Sequence, residues 1–346
     1  MVHAGLLTTA IVSLAFAISA SAQQTTGTPG SPSATAAAPS RPHAADPIFK
    51  VILLGTGAIE YTVDRTGYST MVEVNQQKLL FDLGGSPAQR LYESGVNPKD
   101  VTTIFLTHLH NDHIEGLPNL WLVPWVILSR TASLELWGPA GTAGMVEGMR
   151  KMYQHDLDHR ANSVLKREYL DISVHEIKEG VVYERNGVKV TGFAVEHGDG
   201  NPAFGYRIDY RGHSVVLSGD TTLDENVIKQ GKNADLLVHN VVGYAAALES
   251  LPMYKVVAIK LTTPEQAAEI FNKTKPKLAV YSHISKLGLS GKKGDQVIVE
   301  RTRKAGYTGP LQMGVDRMVI EVGDSVRVLA PKSVANLLDL LDQKKK

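Results

Sequence analysis

The stretch FLTHLHNDHIEG, residues 105–116, places His108, His110, Asp112 and His113 within six positions. It follows the apolar run VTTIFL, which reads as a buried strand. Where the chain stays extended, alternate residues share a side, so His108 and His110 point the same way. A helix starting near Asp112 turns that carboxylate and His113 toward the same hollow. Imidazole nitrogen and carboxylate oxygen suit zinc, and also iron or manganese. One histidine at a strand end is ordinarily a solvated polar residue. Four potential ligands in this spacing after a buried strand form a metal-site pattern.

Further ligands are expected on other strand ends. His197 ends FAVEH, Asp220 ends VVLSGD, and His283 ends LAVYSH. A second ligand-rich stretch, HDLDH at 155–159, lies in a charged helical segment and reads as a solvated face. Trp121 and Trp125 are four residues apart, on one helical face. They suit core packing, with a substrate-pocket wall as their functional reading.

The 346 residues are 43% apolar, with 36 basic against 35 acidic side chains and no cysteine. Disulfides and zinc–thiolate sites are therefore excluded. The charge balance offers no global field for nucleic acid or an anionic membrane. Residues 1–22 hold an apolar run ending in small residues, with Ala20 and Ala22 framing a cleavage site before Gln23. They read as a signal peptide, giving a periplasmic or secreted protein with no stable membrane insertion after cleavage. Residues 23–47, rich in Ser, Thr, Pro and Ala, read as a disordered linker. Residues 48–330 form the folded domain, and 331–346 a C-terminal helix and basic tail.

Within the domain, FKVILLG, STMVEVN, QKLLFDLG, SLELWGP, VKVTGFAVEH, AFGYRIDYRG, HSVVLSGD, ADLLVHN, KLAVYSH and MVIEVGDSVRVLA read as strands. SPAQRLYESG reads as a helix capped by Ser86. GTAGMVEGMRKMYQHDLDHR reads as one helical stretch. TPEQAAEIFNKT is a helix with Thr263 at its N-cap and Pro264 at N1. Many strands with interspersed helices predict an α/β fold of two packed sheets with helices outside.

The order H-x-H-x-D-H, then a lone His, a lone Asp and a late His resembles the metallo-β-lactamase superfamily. LLGTG (53–57), FDLGG (81–85), ELWGPAG (135–141), FGYRI (204–208), LSGDT (217–221) and YSHIS (281–285) resemble most its branch of ribonuclease Z and arylsulfatase-type secreted hydrolases. The resemblance implies an αββα sandwich with two metals, expected as Zn(2+), at one edge. It assigns His108, His110 and His197 to one metal, Asp112, His113 and His283 to the other, and Asp220 to both. A bridging hydroxide would be the nucleophile, with Asp112 orienting it. Asp82 would stand behind the ligands, fixing an imidazole or the loop.

The resemblance breaks at the proton donor. Ribonuclease Z enzymes carry a glutamate where this chain has Asn240 and a histidine where it has Leu261. Neither replacement transfers a proton. His239 and Lys260 stand beside these positions as substitutes, and Lys286 takes the place of the basic residue after the late histidine. The sequence contains no Gly/Pro-rich basic insertion resembling the arm that grips tRNA. The expectation is an exported dinuclear-zinc hydrolase of a small-molecule ester, an aryl sulfate or phosphodiester, with no nucleic-acid partner and a homodimer left open. The alternatives are a ribonuclease Z-like phosphodiesterase, a lactone or β-lactam hydrolase, and a metal-dependent ligand-binding or sensor protein.

Overall fold

Apolar and β-branched runs bounded by turn residues supply the strands. A computed structural model describes residues 48–330, except 249, 250, 253–255 and 258. The expected signal peptide, the linker and the C-terminal tail lie outside the described residues. The chain begins with β1 (Phe49–Gly55), β2 (Ser69–Val74), β3 (Gln77–Phe81), β4 (Thr103–Phe105), β5 (Leu134–Gly138) and β6 (Ile172–Glu176). It continues with β7 (Gly180–Arg185), β8 (Val188–Val195), β9 (Ala203–Tyr210), β10 (His213–Leu217) and β11 (Leu236–Tyr244). The last strands are β12 (Leu278–Leu287), β13 (Leu311–Met313), β14 (Met318–Val322) and β15 (Val326–Leu329).

These strands make two sheets. One has eight strands in the order β15-β14-β1-β2-β3-β4-β5-β6, the other seven in the order β13-β12-β11-β10-β9-β8-β7. Each sheet is antiparallel in one half and parallel in the other, with β3 to β6 parallel in the first and β10 to β13 in the second. Parallel strands deliver their carboxyl ends to one edge, the usual place for a site in such sheets.

The helices are α1 (Pro87–Glu93), α2 (Asn111–Ile114), α3 (Leu117–Ile127), α4 (Thr142–Met152), α5 (Gln154–Arg160), α6 (Glu225–Gly231), α7 (Pro264–Thr274) and α8 (Gly291–Lys304). Three apolar layers define the sandwich. Phe49, Phe81, Phe105, Tyr206 and Val215 fill the space between the sheets. The other face of the first sheet packs on α1, α3, α4 and α5 through Leu91, Leu120, Trp121, Trp125, Met149 and Leu157. That of the second packs on α6, α7 and α8 through Val227, Ile270, Phe271 and Ile298. This is the αββα arrangement expected from the sequence. No helix among the described residues is long and apolar enough to cross a membrane.

The structure departs from the sequence reading in local ways. β6 and β7 arise from DISVHEIKEGVVYERNG, whose charged and exposed positions hide the strand pattern. The helical stretch at 142–160 is broken at Tyr153 into α4 and α5. Ser86 stands at the N-cap of α1 without a side-chain capping bond. Thr263 and Gln266 form a reciprocal capping box at α7. His239 and His283 do not end their strands; both lie inside them.

Phe105 carries much of the inter-sheet contact. Its ring stacks on Phe81 at 4.9 Å and meets Tyr206 at 5.6 Å and Tyr183 at 5.7 Å. Phe105→Ala is expected to cost about 3–5 kcal/mol, read as a lower urea midpoint with unchanged slope.

Candidate metal centre

The strand ends converge because the two sheets are tied at that edge. Tyr206 of β9 donates its hydroxyl to Leu106 O at 2.6 Å, and Phe204 N donates to Thr107 O at 2.9 Å. Ile284 N of β12 donates to Thr56 O at 2.9 Å, just beyond β1. In β12 the pairing with β11 slips, His239 facing Tyr281 but Val241 facing Ile284. This bulge holds His283 at φ +48°, in the left-handed region, and turns its imidazole toward the edge. Asp82, one residue past β3, also sits there at φ +57°.

Two imidazole groups form around this junction. Nε2 of His108 lies 3.0 Å from Nδ1 of His110, which is 3.2 Å from Nε2 of His197. His283 Nε2 lies 3.3 Å from Asp112 Oδ2 and 3.1 Å from Asp220 Oδ2. His113 Nε2 lies 3.5 Å from Asp220 Oδ2 and 3.7 Å from Asp112 Oδ2, and His197 Nε2 lies 3.7 Å from Asp220 Oδ2. The structure thus gathers all seven sequence-predicted ligands, with Asp220 between the two groups.

In three of the five rings a bond on the far side fixes the tautomer. His108 Nδ1–H donates to Thr107 Oγ1 at 3.0 Å, His113 Nδ1–H to Asp82 Oδ2 at 2.9 Å, and His197 Nδ1–H to Lys260 O at 2.9 Å. Their Nε2 lone pairs are left facing inward. Asp82 is completely buried, and also accepts from Thr107 N and Thr107 Oγ1, both at 2.8 Å.

A proton on His110 Nδ1 satisfies at most one of the two facing Nε2 lone pairs, whereas a divalent cation between the three rings satisfies the whole group. The second group makes the same demand. His113 Nε2 and Asp220 Oδ1 are buried with no hydrogen-bond partner among the described residues. Burial opposes charge on Asp220, yet His283 and His113 hold its carboxyl well below the usual range. Burial likewise opposes a proton on His113, but Asp82 and Asp220 raise its affinity well above the ordinary value. Carboxylates and inward-facing nitrogens without thiolates fit a divalent cation of the zinc, manganese or iron kind.

Some functional neighbours were not visible in the sequence. Thr107 connects Asp82 to His108. The buried Tyr68 ring stands 5.6 Å from both His113 and His283. Gly200 lies flush with the imidazoles: a Cβ there would come within 2.2 Å of His197 Cδ2 and 2.9 Å of His110 Cε1. The glycines in FDLGG and GDG were the only trace of such close packing.

Several expected substrate residues have other partners. Trp121 and Trp125 lie in the apolar layer under α3, their indole N–H groups donating to Leu170 O and Lys166 O. Fully buried, they offer no wall to a substrate. His239 faces the helix layer, its ring edge-on to Phe271 of α7, because side chains alternate along β11. Burial pulls its imidazole down to about 4. It touches no ligand and is corrected from catalytic to core. Lys286 is buried, its Nζ 3.2 Å from both Asp64 and Asp295, which makes it a structural cation. Lys260 remains at the site: its carbonyl holds His197 and its Nζ meets Asp199 at 2.6 Å. Asn240 donates from Nδ2 to Thr221 O at 3.0 Å, and Leu261 is buried. His155 and His159 stack at 4.1 Å on the exposed α5, and no third ligand joins them among the described residues.

Asp82→Asn should separate metal affinity from folding, because asparagine tolerates a positive φ. It loses the charge behind His113. Zinc affinity, measured by chelator competition, is expected to fall about 10–100-fold with the thermal midpoint nearly retained.

A family profile described as "Beta-lactamase superfamily domain" matches residues 79–284. Ribonuclease Z of Mycolicibacterium gilvum (strain PYR-GCK) is 30% identical over 287 residues, covering 81% of this chain and 98% of that protein. Among solved structures, the metallo-β-lactamase fold protein YhfI of Bacillus subtilis aligns with a TM-score of 0.60 at 15% identity, over 78% of this chain and 98% of its own. Human tRNase Z, short form, aligns at 0.59 and 22% identity, over 79% and 99%. The expectation of a small-molecule ester without nucleic acid is thereby corrected, since a relative aligned over nearly its whole length is a ribonuclease. The near-zero net charge that argued against nucleic acid describes only a summed field; a metal centre that grips one phosphate does not depend on it. With its fold, its converging ligands and its aligned relatives in agreement, this chain belongs to the metallo-β-lactamase superfamily of hydrolases and is related to ribonuclease Z.

Proposed function

We propose that the protein is a metal-dependent phosphodiesterase of the ribonuclease Z kind, with RNA as its substrate class. One observation carries this reading: two ligand groups sharing Asp220, on a chain that aligns with ribonuclease Z over 98% of that protein. Among the esters expected from the sequence, the ribonuclease relative favours a phosphodiester over an aryl sulfate.

Two zinc ions are the proposed occupants, one at His108, His110 and His197, the other at Asp112, His113 and His283, with Asp220 reaching both. When bound, they would supply Lewis acidity and a nucleophilic water at neutral pH. The chain's own residues do the positioning. Thr107, Asp82 and the Lys260 carbonyl hold three imidazoles in one tautomer. The Asp112 carboxylate, lying close to His283, can accept a proton from an attacking water and orient it. Asn240 and Leu261 give the departing oxygen no proton, so leaving groups that are stable as anions should depart fastest.

Zinc-loaded protein is expected to carry two equivalents of metal by elemental analysis and to cleave bis(4-nitrophenyl) phosphate and a labelled tRNA transcript. Asp112→Ala should lower both rates by at least about 100-fold. Turnover of nitrophenyl sulfate or acetate with neither phosphodiester cleaved would sink the reading. Export belongs to the same proposal, supported by the apolar run before Gln23. N-terminal sequencing of protein recovered outside the cytoplasm should begin at Gln23; a start at Met1 or Val2 would refute it.

A further inference from the structure

We propose that Lys260, held by Asp199, supplies a fixed positive charge that meets the departing oxygen of the phosphodiester. This inference rests on the phosphodiesterase reading above.

The placement is specific. Asp199 offers one carboxylate oxygen to Lys260 Nζ at 2.6 Å and lies with the other 3.7 Å from His110 Nε2. The ammonium is therefore one carboxylate away from a predicted metal ligand. At the other end of the residue, Lys260 O accepts from His197 Nδ1. Backbone and side chain together bracket the His110–His197 pair. The stem runs over Gly198, where a Cβ would lie 3.5 Å from Lys260 Cγ and 3.7 Å from Cε. Gly198 has φ +61°, so the absence of a side chain there serves both the turn and the path of the lysine.

Lys260 also differs from two buried cations of the fold, Lys286 and Arg65. Lys286 is shared by two carboxylates below the surface, and Arg65 by Asp295, Thr56 Oγ1 and Gly314 O. Their charge is spent within the fold. Among the described residues Lys260 has one carboxylate partner, and its side chain is 23% exposed while that of Asp199 is 64% exposed. Both groups stand where His110 itself opens to solvent.

Hydrolysis of the diester adds a water oxygen to phosphorus with loss of one proton, and breaks the bond to the leaving oxygen. The electron pair of that bond stays on the leaving oxygen. Asn240 and Leu261 cannot protonate it there. The ammonium would stabilise the charge without giving up its proton, and solvent would protonate the alkoxide afterwards. A preorganised charge of this sort lowers the barrier most where most charge develops, on the poorest leaving group.

The test uses zinc-loaded full-length protein, with Lys260→Ala, Lys260→Arg and Asp199→Asn. Aryl phosphodiesters with leaving groups from 4-nitrophenol to phenol give the dependence of kcat on leaving-group acidity. Elemental analysis gives metal content, and calorimetric titration gives the Kd of inorganic phosphate. Lys260→Ala should keep its metal, lose about tenfold with the phenyl ester and little with the nitrophenyl ester, and bind phosphate several-fold more weakly. Lys260→Arg should restore most of each loss. Asp199→Asn should lie between wild type and Lys260→Ala. Equal losses along the series, or loss of metal, would make Lys260 a structural residue and overturn the proposal. An unchanged slope with unchanged phosphate affinity would also overturn it. Should wild type cleave no diester, the phosphodiesterase reading falls separately; undiminished phosphate affinity in Lys260→Ala would then overturn the role of Lys260 as well.

Discussion

Crowding His108, His113, His197 and His283 against Asp112 and Asp220 below the surface, with His110 at the rim, is costly unless positive charge lies among them. That cost organises the edge of the molecule. Asp82 meets part of it from behind, through one carboxylate that binds Thr107 twice and His113 once. It can do so only because the chain leaves β3 with a positive φ and returns through β4 beside it. Gly84 completes the junction, since a Cβ there would lie 2.3 Å from Asp112 O. The ligand loop is thus held by backbone approach and buried hydrogen bonds before any cation is considered.

The two sheets contribute unequally to this centre. The first sheet supplies a dense cluster from a single loop, while the second supplies His197, Asp220 and His283 from three separate strand ends or bulges. Their relative placement depends on inter-sheet packing around Phe81, Phe105 and Tyr206, and on the Tyr206–Leu106 hydrogen bond. Core and site are coupled for that reason. A shift between the sheets would pull the shared carboxylate of Asp220 away from one ligand group or the other.

The ligands were legible because each follows an apolar run and has the chemistry of a cation site. The sandwich was legible from the succession of buried strands. What the sequence hid was orientation and partnership. His239 and His283 look alike, each near the end of an apolar strand. A bulge turns one toward the edge, and simple alternation turns the other into the helix layer. Lys260 and Lys286 both stand near the centre in sequence, yet Asp64 and Asp295 claim Lys286 from distant segments. Trp121 and Trp125 are close in sequence to the cluster and belong to the layer beneath it. β6 and β7 were hidden for another reason: their exposed charged residues satisfy no simple buried pattern. Global charge was a poor guide to partners, because a sum over the chain carries no information about one local site.

The loss of a proton donor need not leave such a centre idle. Protonation and fixed-charge stabilisation answer the same physical demand, the negative charge that gathers on a departing oxygen. A protonating pair does so by neutralising the oxygen, and therefore helps poor leaving groups strongly. A lysine tethered to a carboxylate does so by field alone, with its strength limited by the neighbouring negative charge and by solvent. On the proposed reading, the Asn240–Leu261 replacement and the Lys260–Asp199 pair would be two sides of one adjustment. On that reading, the ligand set would generate the nucleophile and Lys260 would be a weaker, solvent-exposed means of meeting the charge on the leaving oxygen. Such an arrangement favours diesters whose leaving oxygen is already a stable anion, or whose RNA context stabilises it.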